Sequence, residues 1–181
     1  MKHIAQFENF KKQPTPDAQP VNEQNYWGSM AAGIMPVCSS TGRVLIAFRS
    51  AHVNEPHTWG TIGGKLDIDE GIDETIEEAA LRELVEETEY DGDMDMRKAY
   101  VFTDGSFSYH NFFGVVSEEF EPQLNWETER FEWMTFRELK QLSPKHFGLS
   151  ALLKNSGGEL SALLLDDDDH DGFEDGTTSY R

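Results

Sequence analysis

Glu83, Glu86 and Glu87 stand at i, i+3 and i+4 in a segment with helical spacing. On a helix these three share one face, where like charges repel. A hard divalent cation, Mg²⁺ or Mn²⁺, would account for the grouping, because such ions prefer carboxylate oxygens. Arg82 directly precedes the cluster, and its forked guanidinium can orient a carboxylate. The plainer reading is a solvated acidic face, in a chain whose formal net charge is −19. Gly63 and Gly64 lie upstream of the acids. A Gly-Gly pair by itself is most often only a turn. Before an acidic helix it also permits close backbone approach to a ligand.

The elements that must position these residues follow from periodicity. Residues 74–88 have helical spacing, with Ile76, Ala80, Leu84 and also Leu81 and Val85 as the apolar stripe. Asp73 is the expected N-cap, with glutamates in the first turns, where the helix dipole favours them. Residues 30–37 and 44–48 read as strands divided by a Ser-Ser-Thr-Gly turn. Residues 58–62 form a short strand leading into the glycines. Residues 98–102, 107–116 and 132–136 are further strands, and 137–142 and 146–154 are helices. Strands interleaved with a few helices imply an α/β fold with a mixed sheet flanked by helices.

Residues 63–90 read GGKLDIDEGIDETIEEAALRELVEETEY. This segment resembles the Nudix box, G-x5-E-x7-R-E-U-x-E-E-x-G-U, where U is a bulky aliphatic. Gly64 supplies the glycine and Glu74 the first glutamate. Seven residues later come Arg82, Glu83 and Leu84, then Val85, Glu86 and Glu87. Two departures stand out. Nine residues separate Gly64 from Glu74 where the family has five, which places a four-residue insertion around residues 68–71. Taking Glu70 as the first glutamate instead would break the helical phase with Arg82, so Glu74 is preferred. The late glycine of the family is Glu89 here, and the last aliphatic is Tyr90, which puts the end of the helix in question.

The resemblance continues outside the box. Residues 59–65, WGTIGGK, are similar to the family's W-x-x-P-G-G-K, with Ile62 in place of proline. Glu127 is similar to an acidic residue that often reaches the metal site from a loop. Glu132-Trp133 and the following Phe136-Arg-Glu-Leu139 are similar to the closing strand and helix. Coverage is about residues 28–155, within an expected domain of 26–157.

The resemblance implies a Nudix fold and Mg²⁺-dependent hydrolysis of a pyrophosphate bond in a nucleoside diphosphate derivative. It implies Glu83, Glu86, Glu87 and Glu127 as metal ligands. Either Glu86 or Glu127 is the general base. Arg82 orients carboxylates, Glu74 supports the loop or outer metal shell, and Gly63 and Gly64 offer backbone to the phosphates. Arg49 ends an apolar strand and is read as a phosphate contact or a surface salt bridge. Phe48, Tyr109 and Phe113 would either stack on a base or belong to the core. His52, His57, His110 and His146 lack paired ligand spacing and read as loop or surface residues. Ser150 lacks the context of a nucleophile. Asp167, Asp169, Asp171 and Gly172 echo the start of a calcium loop, but Thr178 stands where a bidentate Glu is needed.

Composition bounds the rest. The 181 residues suit one domain. The acidic surface argues against duplex nucleic acid and against a long RNA substrate. Apolar runs are too short to span a bilayer, and residues 1–12 do not read as a secretory signal. One cysteine, Cys38, fits a reducing cytoplasmic setting. Residues 1–25 are an arm or linker, through which a homodimer is one expected arrangement. Residues 158–181 are an acidic tail, with seven acids and one Arg in 166–181. The family acts on nucleoside triphosphates, ADP-ribose, NADH, dinucleoside polyphosphates, coenzyme A and capped RNA. The NADH and coenzyme A signatures are absent, as is the proline that often follows the box in ADP-ribose members. A small-molecule nucleoside triphosphate is therefore the first expectation. The alternatives are ADP-ribose, a dinucleoside polyphosphate, and a non-catalytic nucleotide-binding module.

Overall fold

A computed structural model describes residues 30–66 and 74–164. The expected arm over 1–25, the insertion with Glu70, the N-cap Asp73 and the calcium-loop echo all lie outside the described residues.

Among the described residues seven strands form one mixed sheet: β1 (Met30–Cys38), β2 (Arg43–Arg49), β3 (Trp59–Gly60), β4 (Ile62–Lys65), β5 (Asp95–Asp104), β6 (Phe107–Val116) and β7 (Thr128–Thr135). The path runs β3-β2-β1-β6-β5, with β4 on β1 and β7 on β2. β1 and β6 are parallel, and the other pairings are antiparallel. β1 is the branching strand. Its first half pairs with β4, Gly33 opposite Gly63, and its last residues pair with β2. Its other edge carries β6, Gly33 opposite Asn111.

The helices of the described residues that cover the sheet are α1 (Ile76–Thr88), α2 (Phe136–Gln141) and α3 (Phe147–Leu163). Strand alternation sends neighbouring side chains to opposite faces. Ala32, Ile34, Leu45, Ile62 and Phe112 pack with Ala79, Ala80 and Leu84 of α1. Met35, Val37, Val44, Ile46 and Phe113 pack with Leu139 of α2 and Leu149, Leu152 and Leu160 of α3. The sheet is therefore sandwiched between helices.

The helix boundaries correct several expectations. Thr75, not Asp73, caps α1: its hydroxyl accepts from Glu78 N at 3.2 Å, and its own N–H donates to Glu78 Oε2 at 2.9 Å. This reciprocal capping box satisfies two orphan donors. Leu81 and Val85 are 36% and 39% exposed, so they do not belong to the buried stripe. Ala79 and Ala80 fill that place, and their small size lets the helix lie close to β1 and β4. α3 starts at Phe147 and continues to Leu163, past the expected end at 154. Leu160 is fully buried, so residues 158–163, expected to begin an acidic tail, are helical and packed.

Glu89 ends α1 in the left-handed region, at φ 58 and ψ 16, with its N–H bonded to Val85 O at 2.8 Å. A residue with a Cβ is strained there, and glycine is not. Replacing Glu89 with glycine is expected to raise stability by about 1 kcal/mol, a shift of a few degrees in Tm. Thermal denaturation of the two proteins checks this, and a Tm equal to or below the parent's would contradict it.

Candidate active site

α1 presents its acids toward the β1–β4 junction. Glu87, 7% exposed, accepts a hydrogen bond at Oε1 from Gly63 N at 2.9 Å. Glycine at 63 is required by space: an added Cβ would collide with Ala32 O, Gly33 Cα and the Tyr109 hydroxyl. A Cβ on Gly64 would meet the Glu83 carboxylate, and one on Gly33 would meet the Tyr109 ring and hydroxyl. The three glycines let α1 approach the strands from one side and Tyr109 from the other.

Arg82 gathers its neighbours as the fork of a guanidinium allows. Nε and Nη2 donate to Glu74 Oε1 and Oε2 at 2.8 and 3.3 Å. Nη1 donates to Glu83 Oε1 at 2.8 Å and to Glu86 Oε2 at 3.3 Å. Nη2 also donates to Lys65 O at 2.9 Å, which ties the glycine strand to the helix. Burial opposes the charge on Arg82, but Glu74 and Glu83 outweigh it and hold the guanidinium firmly protonated.

The carboxylates are held in an environment that disfavours their charge. Burial pushes Glu83 up to about 7, against the pull of Arg82 and with the push of Glu86 and Glu127. Burial also raises Glu87 well above the ordinary range, with Glu127 and Glu83 adding to it and the Gly63 amide and Arg49 opposing. Glu127, just before β7, is raised by burial, lowered by Arg49 and raised by Glu86. Its backbone is fixed at both ends: its N–H donates to Asn125 Oδ1 at 2.9 Å, and its carbonyl accepts from Ser50 N at 2.8 Å. Glu86 is the open member, with a side chain 45% exposed.

All four acids thus fall within one electrostatic neighbourhood. Among the described residues they do not converge as a finished metal shell, since Glu83 turns to Arg82 and Glu87 to Gly63. The donor set nevertheless fits a hard divalent cation. Oxygen ligands predominate, and the buried acids repel one another until a positive charge is supplied.

Arg49, at the end of β2, forks onto Asn54 O through Nε and Nη2 at 3.0 and 2.7 Å. Its charge acts on Glu87, Glu127, Tyr109 and His146. It therefore stands between the acids and a cleft on the α3 face, lined with Thr61, Tyr109, Asn111, Phe102 and Phe147 among others. The sequence reading missed Thr61, Asn111, Phe102 and Phe147. The one available signal was a lone asparagine inside the apolar run of β6. Of the aromatic candidates, Phe113 is fully buried core and Phe48 packs against that core, while Tyr109 lines the cleft.

The NUDIX domain model matches residues 29–155. The chain belongs to the NUDIX family. No curated protein sequence matches it. Solved Nudix structures share its fold. One is the Nudix hydrolase RenU from M. smegmatis, at 21% identity and TM-score 0.57, covering 73% of this chain and 84% of that one. Another is the NUDIX domain of Shewanella oneidensis NrtR in complex with ADP-ribose, at 18% identity and TM-score 0.59, covering 83% and 94%. A third is the E. coli dihydroneopterin triphosphate pyrophosphohydrolase, at 18% identity and TM-score 0.56, covering 73% and 97%. This Nudix protein is a hydrolase of phosphorus-containing acid anhydrides, in a family that generally uses divalent metals. Among the described residues no helix is long and apolar enough to cross a membrane.

His146, expected in a loop or at the surface, lies in the loop that leads into α3 but is largely buried there. Its side chain is 18% exposed, and its Nδ1 accepts from Gly148 N at 3.1 Å to cap α3. Burial, helped by Arg49, lowers its pKa from 6.5 to about 4. Glu55 Oε2 lies 3.8 Å from Nε2 but is itself exposed, so it does not restore the charge. A depressed value means that the unfolded chain takes up this proton first as pH falls. The contribution of His146 is complete above pH 6.5 and is lost as pH falls toward 4. Between pH 7.5 and 4.5 the wild type is expected to lose about 1–3 kcal/mol more than His146→Asn, which keeps a capping acceptor. Denaturant titrations at the two values check this; equal losses would contradict it.

Proposed function

We propose that Glu83, Glu86, Glu87 and Glu127 hold Mg²⁺, with Mn²⁺ as a substitute, and that the chain hydrolyses a pyrophosphate bond in a nucleoside diphosphate derivative. The observation that carries this reading is the group of mutually repelling, largely buried acids beside the Gly63 amide, with Arg82 already engaged by Glu74. Bound there, the cation would lower the pKa of a coordinated water and neutralise charge developing on the phosphates.

The protein's own groups supply position and proton transfer. Arg82 fixes Glu83 in place and, through Lys65 O and Glu74, keeps the glycine strand against the helix. Gly63 and Gly64 leave room for phosphate oxygens close to the backbone. Two acids are candidates to take the proton of the attacking water: Glu86, which faces solvent, and Glu127, whose pKa burial raises above the ordinary carboxylate value. Arg49 provides positive charge near both Glu127 and Glu87 and can meet a phosphate without leaving its strand end.

A nucleoside triphosphate, cut to monophosphate and pyrophosphate, is the first substrate reading, since the signatures of other classes are absent. ADP-ribose is the second, favoured by the complex of the S. oneidensis domain. A small-molecule substrate suits a chain of net charge −19 better than a polyanionic nucleic acid does. The test is a panel of nucleotides with MgCl₂, read by chromatography of the products. Magnesium-dependent cleavage, abolished by EDTA, is expected. Glu87→Gln and Glu86→Gln should each lower kcat by about 10²–10⁴-fold while leaving the fold intact. If Glu127→Gln costs more than Glu86→Gln, Glu127 is the base. Nucleotide-induced thermal stabilisation without turnover of any compound would replace this reading with a binding module.

A further inference from the structure

Asn111 sits in the middle of β6, 3% exposed, on the same strand face as Tyr109 and Phe113. Its Nδ2 donates to Tyr100 O at 3.1 Å. A backbone carbonyl only accepts, so this bond settles which end of the amide is nitrogen. The other end, Oδ1, is buried and has no hydrogen-bond partner among the described residues. Leaving such an acceptor unpaired costs stability, because it has given up water and gained no donor in return. An aliphatic residue would avoid that cost in a strand whose next two residues are Phe112 and Phe113. The bond to Tyr100 O, beside the register shift in β5, accounts for the amide nitrogen but not for the unpaired oxygen, and a ligand that donates to Oδ1 accounts for that.

The surroundings fit such a ligand. Asn111 lines the cleft between Gly63 and Phe147. Phe102 and Phe147 meet edge to face there, with ring centroids 5.7 Å apart. Phe147 is 47% exposed, a large apolar side chain left open at the cleft mouth. Register fixes the distance to the acids. Gly63 pairs with Gly33, and Gly33 pairs with Asn111 on its other edge. Two strand spacings, about 10 Å, thus separate the Asn111 backbone from that of Gly63. That is the reach of a nucleoside from its phosphate to the edge of its base. The amide of Gly63 in turn touches Glu87.

We propose that this cleft is the base subsite. Asn111 Oδ1 accepts from an N–H on the edge of a heterocyclic base, and the rings of Phe102 and Phe147 bound its apolar side. Asn111 is then a specificity residue that selects a base with an amino group or ring N–H at that edge. The inference rests on the nucleotide-hydrolase reading above.

The experiment pairs the best nucleotide of the panel with an analogue that lacks the edge N–H. Unsubstituted purine replaces adenine, 1-methylhypoxanthine (with neither the ring N–H nor the 2-amino group) replaces guanine, and N3-methyluracil replaces uracil. In the wild type, kcat/KM on the parent is expected to exceed that on the analogue by about 10–100-fold, because the analogue leaves Oδ1 unpaired. In Asn111→Leu the ratio is expected to fall close to one, mainly through a higher KM on the parent. A wild-type ratio near one overturns the proposal, and so does the same ratio in both proteins. The wild-type arm stands even if the leucine variant does not fold. If no compound is turned over, the hydrolase reading fails separately. Calorimetric binding of the parent and analogue monophosphates then decides the subsite by the same ratio.

Discussion

The Glu87 carboxylate lies inside the protein against the backbone amide of Gly63, and much of the local architecture serves to keep it there. A buried acid with one backbone donor is poorly compensated. Glu83, Glu86 and Glu127 sharpen the problem by adding like charge. The chain accepts this by spending its rigid elements on the site. Ala79 and Ala80 draw the helix close, a capping box fixes its start, and Gly64 leaves room for Glu83 on the strand beneath it. A helix one residue out of phase would turn Glu87 into solvent and bring Leu81 or Val85 to the glycines instead.

The sign of the local field separates Arg82 from Arg49. Arg82 is consumed by the helix and its approach: Glu74, Glu83, Glu86 and Lys65 O all take hydrogen bonds from it. It compensates Glu83 only in part, and burial still wins. Arg49 is anchored to Asn54 O and acts on the acids across space. Positive charge is thus present on both flanks of the acid group but does not neutralise its centre. That distribution leaves work for a cation, which is why the acids are more than a solvated face.

How much of this could be read beforehand depends on the range of the interactions. The spacing of Glu83, Glu86 and Glu87 is a helix-local property, so the shared placement of the acids was legible. So was the alternation along β1, β2 and β6, which sets the two layers of core. Thr75 was missed as the cap because a capping box depends on which side chain reaches Glu78, and Asp73 offered a competing donor-acceptor pattern. Leu81 and Val85 were placed in the stripe beside Ala80 and Leu84 because they are large and apolar, and Ala79 was left out of it. In the fold, close approach to the sheet rewards the small residues. Leu160 extends α3 because the sheet gives it somewhere to bury, and nothing in residues 158–163 alone signals that.

The α3 side of the sheet was the least legible part, for the same physical reason. Three of the four acids come from one helix within five residues of one another. The cleft draws Arg49 from β2, Gly63 from β4, Phe102 from β5, Tyr109 and Asn111 from β6, and Phe147 from the start of α3. Only the pairing of β4 and β6 on opposite edges of β1 brings them together. Gly33, at the centre of that pairing, has room for the Tyr109 ring because it lacks a side chain. The sheet thus joins two half-sites of different character: charged and helix-borne on one face, aromatic and amide-bearing on the other. A local motif identifies the first half. The second exists only once β1 has acquired both neighbours, so no local stretch of sequence signals it.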